Sequence, residues 1–188
     1  MNVNTAKAMY AILDKASKIE GLRGMFYNDG VVVSSNNTVI IVLRTEYSSN
    51  LEGKVISLEG KEIKAPYPNY KGAMYFNPSE TSSCPESRQT IVSSCLNLPK
   101  TPDVDHQRVC LEFGGVCVFP PRLLKVLEVF EAIREEPDVY AYTPDTLVNW
   151  RLILKSESCT AIMAPVYLPE NDGNRFTVKE AIELGELL

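Results

Sequence analysis

Val116-Cys117-Val118-Phe119-Pro120-Pro121-Arg122-Leu123-Leu124-Lys125-Val126-Leu127 opens the stretch that decides the fold. It runs on to Cys159-Thr160-Ala161-Ile162-Met163-Ala164-Pro165-Val166-Tyr167. The first apolar run predicts a strand, and Pro120-Pro121 then starts a helix, where proline is harmless because a first-turn N–H has no intrahelical partner. Leu123, Leu124, Leu127, Phe130 and Ile133 recur at helical spacing as a buried stripe, and Pro137 is read as the stop. Three short strands follow, at 139–142, 150–154 and 160–163. Just upstream, 109–113 and 116–119 flank Gly114-Gly115 and read as a hairpin.

Working outward, the first half of the chain has the same order. Residues 5–19 read as a helix with Met9, Ile12, Leu13, Ala16 and Ile19 on one face and Lys7, Lys15 and Lys18 on the other. Asn4 or Thr5 can cap its start and Gly21 can end it. Strands are predicted at 25–27, 31–33 and 38–44, separated by Asn28-Asp29-Gly30 and Ser34-Ser35-Asn36-Asn37, with a weaker hairpin around Glu59-Gly60. Residues 66–80, rich in Pro and Tyr, read as an extended connector. Residues 81–105 read as a Ser/Thr/Pro loop holding one short helix or strand near 89–96. Thr177 and Glu180 have capping-box spacing ahead of a short terminal helix through 188.

Composition bounds the function. At 188 residues, 45% hydrophobic and 23% charged, the chain has the content of one globular domain with additions. No apolar run reaches the ~18–20 residues of a membrane helix, and the N-terminus lacks a signal peptide's apolar core, so a cytoplasmic protein without membrane partners is expected. Net charge is −5, distributed as 9 Lys+Arg against 7 Asp+Glu in residues 1–78 and 10 against 17 in 79–188. That balance opposes strong nonspecific nucleic-acid binding but leaves room for a basic face. Five cysteines without a C-x-x-C pair, and one histidine, give no zinc pattern, and no metal or cofactor is expected. Cys110, Cys117 and Cys159 lie in apolar strands and read as buried reduced thiols. Asn36-Asn37-Thr38 fits a glycosylation sequon, which has no meaning without secretion.

The doubled helix-plus-strands order resembles the repeat unit of DNA sliding clamps, and the details are similar to the bacterial DNA polymerase III beta-subunit type. Residues 116–127 look like the strand and second helix of the last clamp domain. Ala161-Ile162-Met163-Ala164-Pro165-Val166-Tyr167-Leu168 is similar to the terminal clamp strand, and Tyr67-Pro68-Asn69-Tyr70-Lys71 to the segment linking two clamp domains. The resemblance is loose over the first 75 residues and close over 109–168. It implies an α+β, DNA-clamp-like fold of two helix-plus-strands halves with pseudo-twofold symmetry and curved, mostly antiparallel sheets. The implied layout is one domain over 1–168, with a first half at 1–65, a connector at 66–78, an insertion at 79–108 and a second half at 109–168, followed by a helical tail at 169–188. Two departures stand out: Tyr167 occupies the place of a basic residue in the terminal strand, and Tyr75 that of a proline.

The resemblance also implies function. Clamp helices present Lys and Arg to DNA phosphates without reading bases, contacts that carry no sequence information. Here Lys7, Lys15, Lys18, Arg122 and Lys125 would face DNA, diluted by Glu128, Glu131 and Glu135, so a monomer would bind duplex DNA weakly. Pro165, Val166 and Tyr167 would form part of a groove for partner-protein peptides. A six-domain ring would need about six copies, making a homo-oligomer the expected assembly. The leading expectation is a noncatalytic, processivity-factor-like interaction protein. One alternative is a small cytoplasmic enzyme pairing His106 with Cys110 or Cys84. Another is a clamp-fold regulatory protein that no longer contacts DNA. Gly114-Gly115 lacks the spacing of a phosphate-binding loop and reads as a turn, and Glu135-Glu136 as a solvated helix end.

Overall fold

The helix-then-strands order occurs twice, and the two copies join along one seam. The structure, a computed structural model, describes residues 1–99, 109–167 and 174–186. The first copy is α1 (Val3–Ile12), β1 (Met25–Asn28), β2 (Val31–Ser35) and β3 (Val39–Arg44). The hairpin β4 (Val55–Ile56) and β5 (Glu62–Ile63), a short helix α2 (Tyr70–Ala73), β6 (Thr81–Cys84) and α3 (Arg88–Asn97) come next. The second copy begins with the hairpin β7 (Cys110–Phe113) and β8 (Val116–Val118), then α4 (Pro120–Ile133), β9 (Asp138–Tyr142), β10 (Arg151–Lys155) and β11 (Cys159–Met163). The tail adds β12 (Arg175–Thr177) and α5 (Val178–Glu186).

Among the described residues, nine strands form one sheet in the order β5-β4-β1-β2-β3-β11-β10-β9-β6, antiparallel at every pairing. Exchanging β1 with β9, β2 with β10 and β3 with β11 maps the six central strands onto themselves, with Ile41 opposite Ala161 at the seam. α1 and α4 obey the same exchange. They lie antiparallel against each other, the N-terminal Thr5 of α1 donating its Oγ1 hydrogen to the carbonyl of Ala132 near the end of α4 (3.3 Å). The expected α+β, mostly antiparallel clamp-like architecture and its paired helices are what the chain forms. A second sheet, β12-β7-β8, contains the one parallel pairing among the described strands, β12 with β7.

The core lies between the helix pair and the sheet. Met9 and Ile12 of α1, and Leu123, Val126, Leu127 and Phe130 of α4, are at most 3% exposed and pack on Ile41, Leu43, Leu152, Leu154 and Ala161. Alternation along β10 sends Ile153 to the opposite face, where Ile153, Ile162 and Tyr142 are covered by Met74 and Phe76. Phe26, also turned outward between Met25 and Tyr27, stacks on Tyr67 with ring centroids 5.0 Å apart. The aromatic connector is thus pinned across the back of its own sheet.

Several local expectations require correction. The first helix ends at Ile12, not Ile19. Asn36 Nδ2 donates to the Ile12 carbonyl (2.8 Å), Leu13 is extended, and the Asp14 side chain accepts from the Ala16 N–H, so a local turn replaces further helix. Ile19, placed on the buried stripe, is 49% exposed. α4 stops at Ile133 rather than at Pro137. Arg134 adopts φ 61, with Arg134 N–H to Glu131 and Glu135 N–H to Phe130, the Schellman pattern. The helix or strand expected near 89–96 is present as the ten-residue helix α3, but the loop ahead of it also supplies the edge strand β6, which was not expected. The tail carries β12 as well as its helix, and Thr177 and Glu180 form the expected reciprocal cap. α5 docks on α3, where Gly185 lies so close to Asn97 that a Cβ would overlap its side chain.

Candidate functional site

β11 ends at Met163, and the chain continues extended through Ala164-Pro165-Val166-Tyr167. This run is held from both halves: Ala164 N–H donates to the Thr38 carbonyl and Val166 N–H to the Cys117 carbonyl, each at 2.8 Å. Pro165, having no N–H, sits between the two tethers. A groove of about 490 Å³ opens on one side, lined by Val39, Ile40, Trp150, Ile162, Pro165 and Tyr167, with Asn36, Asn37 and Ala73 at its margins. A smaller depression of about 230 Å³ lies on the other, bounded by Gly115, Cys117, Leu147, Trp150, Val166 and Arg175. Trp150 and Tyr167 border both.

Both aromatics have their polar tips satisfied. Trp150 Nε1 donates to the Pro144 carbonyl (2.9 Å) and Tyr167 Oη to the Leu147 carbonyl (2.7 Å). Their apolar ring faces are therefore left to the groove, and Tyr167 is 63% exposed. Arg151 donates to the Ala73 carbonyl (2.7 Å) while its guanidinium lies 5.0 Å from the Tyr142 ring centre, tying the connector to β10 at the groove's edge. The geometry suits an extended apolar ligand, because a preformed hydrophobic floor costs little ordering entropy.

The cations expected to face DNA do not form one cluster. Lys7 lies on α1 beside Glu128 and Glu131 of α4 and Arg134 just past its end, around a depression of about 730 Å³. Arg122 and Lys125 lie at the other end of the antiparallel pair, near Asp14 and Asn37. Lys15 and Lys18 fall beyond the end of α1, and Lys15 acts electrostatically on Glu59 in the β4–β5 turn. Glu131 is not a free opposing charge, since Arg88 of α3 pairs with it at 3.3 Å.

Cys110, Cys117, Cys159 and Cys95 are buried free thiols and Cys84 is half-buried. Burial pushes Cys159 and Cys95 up to about 12 and raises Cys84, conditions that disfavour a thiolate. Cys110 is raised by the neighbouring Cys117 and by burial. His106 lies outside the described residues. Among the described residues, no group of three or more His, Cys, Asp or Glu could hold a metal ion, and no helix is long and apolar enough to cross a membrane.

The structure places Pro165, Val166 and Tyr167, expected at a groove, beside these depressions, where Trp150, Ile40, Leu147 and Arg175, which the sequence reading did not single out, also lie. The β3–β11 seam, the β10–β11 pairing and the β7–β12 pairing bring these together from separate parts of the chain. Trp150 had one available signal, as the only tryptophan of the chain.

Two matched halves, a helix pair and a continuous antiparallel sheet define the DNA-clamp type of fold. Solved bacterial beta clamps share it. The Helicobacter pylori beta clamp bound to a DNA ligase peptide superposes with a TM-score of 0.58 at 10% identity, over 88% of this chain and 63% of that one. The Borrelia burgdorferi DNA polymerase III beta subunit gives 0.57 at 12%, over 88% and 62%. A putative DNA polymerase III beta subunit from Eubacterium rectale gives 0.55 at 9%, over 90% and 64%. At these identities the likeness is one of fold, and this chain matches less than two thirds of each clamp's length. No protein-family model and no curated protein matches the sequence.

Proposed function

We propose that this protein is a noncatalytic, clamp-type interaction protein that captures an extended apolar segment of a partner protein beside Pro165, Val166 and Tyr167. The observation that carries the reading is the groove of about 490 Å³, floored by Ile40 and Ile162 and rimmed by two aromatics whose polar tips are already satisfied. A fold-mate, the Helicobacter pylori clamp, holds a DNA ligase peptide. The deciding experiment is an array of short linear peptides probed with the wild-type protein and with Tyr167→Glu. Retention of apolar, aromatic-containing peptides by the wild type alone supports the reading; equal retention by both proteins, or none, ends it.

A second role, weak contact with duplex DNA across the helix pair, has narrower support. Arg122 and Lys125 lie on the exposed side of α4, and Glu131 is occupied by Arg88. Few phosphates can be neutralised by one copy, so useful affinity requires several copies acting together. Solution mass at increasing concentration, with and without duplex DNA, tests that assembly.

A further inference from the structure

The face of β12-β7-β8 turned away from the core brings together two cysteines, a glutamate and an arginine. Leu111, Phe113, Val116 and Val118 point into the core, which leaves Cys110, Glu112 and Cys117 together on the opposite face. Glu112 is the direct cross-strand partner of Cys117, so Cys110 is the diagonal neighbour of Cys117 on the same face. β12 pairs in register with Arg175 opposite Cys110. Arg175 Nη2 is 2.8 Å from Glu112 Oε2, the residue directly across from Cys117, so the guanidinium lies beside Cys117. Cys117, 4% exposed, and Arg175 both border the depression of about 230 Å³.

We propose that Cys117 and Cys110 are an oxidisable dithiol, in which Cys117 is the attacking sulfur and Cys110 the resolving one, with a small hydroperoxide as the oxidant. The arrangement has the parts such a site needs: a thiol beside a guanidinium, a second thiol diagonal to it on the same face, and a bordering depression. The neighbouring Cys110 thiol, with help from Arg175, lowers Cys117 below the ordinary thiol range although burial opposes this, while Cys110 is raised and keeps its proton. The Cys117 thiolate attacks one oxygen of hydrogen peroxide, the O–O bond breaks, and hydroxide leaves, giving a sulfenic acid at Cys117. The Cys110 sulfur then attacks the Cys117 sulfur; its proton and the sulfenic hydroxyl depart as water, and the S–S bond forms. Two electrons pass from the thiols to the peroxide. The site stands whether or not the neighbouring groove takes a peptide.

The test uses the whole reduced protein and hydrogen peroxide, followed by alkylation and peptide mapping. Trypsin releases Cys110 and Cys117 together between Arg108 and Arg122. The expected product is that peptide two hydrogens lighter and unalkylated, with full alkylation restored by dithiothreitol. Cys110→Ser should stop at the sulfenic acid, captured by dimedone on Cys117. Arg175→Gln should slow oxidation roughly three- to tenfold through a smaller thiolate fraction. Circular dichroism confirms that each variant is folded, and a variant that is not is replaced by Cys110→Ala or Arg175→Lys. The proposal is overturned if Cys84 oxidises first, if Cys110 and Cys117 remain alkylatable in the native protein, or if they react only after urea unfolding.

Discussion

Ile41 and Ala161 face one another at the centre of the β3–β11 pairing, a large side chain against a small one, and both are fully buried. They mark the seam where the two halves meet, and both point at the helix pair. The space above Ala161 is taken by its neighbours, so Ala161→Leu forces side chains off their rotamers, costing about 1–3 kcal/mol. Ile41→Ala opens a cavity instead and costs about 2–5 kcal/mol. Ala164→Leu, three residues on and exposed, should stay within about 0.5 kcal/mol of wild type. Urea unfolding midpoints of the three variants measure these differences; equal midpoints for Ala161→Leu and Ala164→Leu would show that the seam is not packed this way.

The seam also shows what could be read from the chain. The strands on both sides of it, and α4 with its Pro120-Pro121 start, were legible because burial on one or both faces imposes a local pattern of apolar residues. The end of α1 was not, because it depends on Asn36, which captures the Ile12 carbonyl from 24 residues away. The strand β6 was not legible either: Thr81-Ser82-Ser83-Cys84 has no apolar alternation and is a strand because β9 offers it a free edge. For the candidate site, Pro165 and Tyr167 carried a signal in their motif. Arg175 carried none, since only the parallel register with Cys110 sets it beside Cys117.

Glu135 fastens the end of α4 to the β10–β11 turn. Its Oε1 accepts from Ser158 Oγ at 2.6 Å and its Oε2 from Ser158 N–H at 3.0 Å. Burial pushes this carboxyl up, but hydrogen bonds from Ser156 and Ser158 outweigh it and hold it below the usual range. A depressed folded value means that the contribution is complete above the unfolded carboxylate value of about 4.3 and is lost as pH falls through the folded one. Glu135→Gln should therefore be less stable near neutrality and lose less on acidification below that value. Thermal midpoints across the acid range will show the two curves converging; parallel curves would remove Glu135 from the acid response.

The divided cations make a graded prediction for duplex DNA. Arg122→Glu and Lys125→Glu, at one end of the helix pair, should weaken binding and reduce the slope of log affinity against log salt by about 0.9 for each phosphate no longer neutralised. Lys15→Glu should change little, because Lys15 lies beyond the helix and acts on Glu59. Fluorescence anisotropy at several salt concentrations reads both quantities. Equal losses for Lys15→Glu and Lys125→Glu would mean that the contact surface is not the helix pair.

Trp150 offers a direct view of the groove, since it is the only tryptophan and borders both depressions. A peptide lying along Pro165 and Tyr167 excludes water from its ring, so emission should shift to the blue and saturate with peptide. Tyr167→Ala removes ring area from the rim and should weaken binding by roughly tenfold, the scale on which interface aromatics act. Tyr167→Phe keeps the ring and loses only the hydrogen bond to the Leu147 carbonyl, so most of the affinity should survive. Because Tyr167 is exposed, neither change should move the unfolding midpoint by more than about 0.5 kcal/mol in stability. The contrast between the two variants separates contact by the ring from a role of the hydroxyl in shaping the rim. If Phe fails as badly as Ala, the Leu147 tether rather than the ring surface governs the groove.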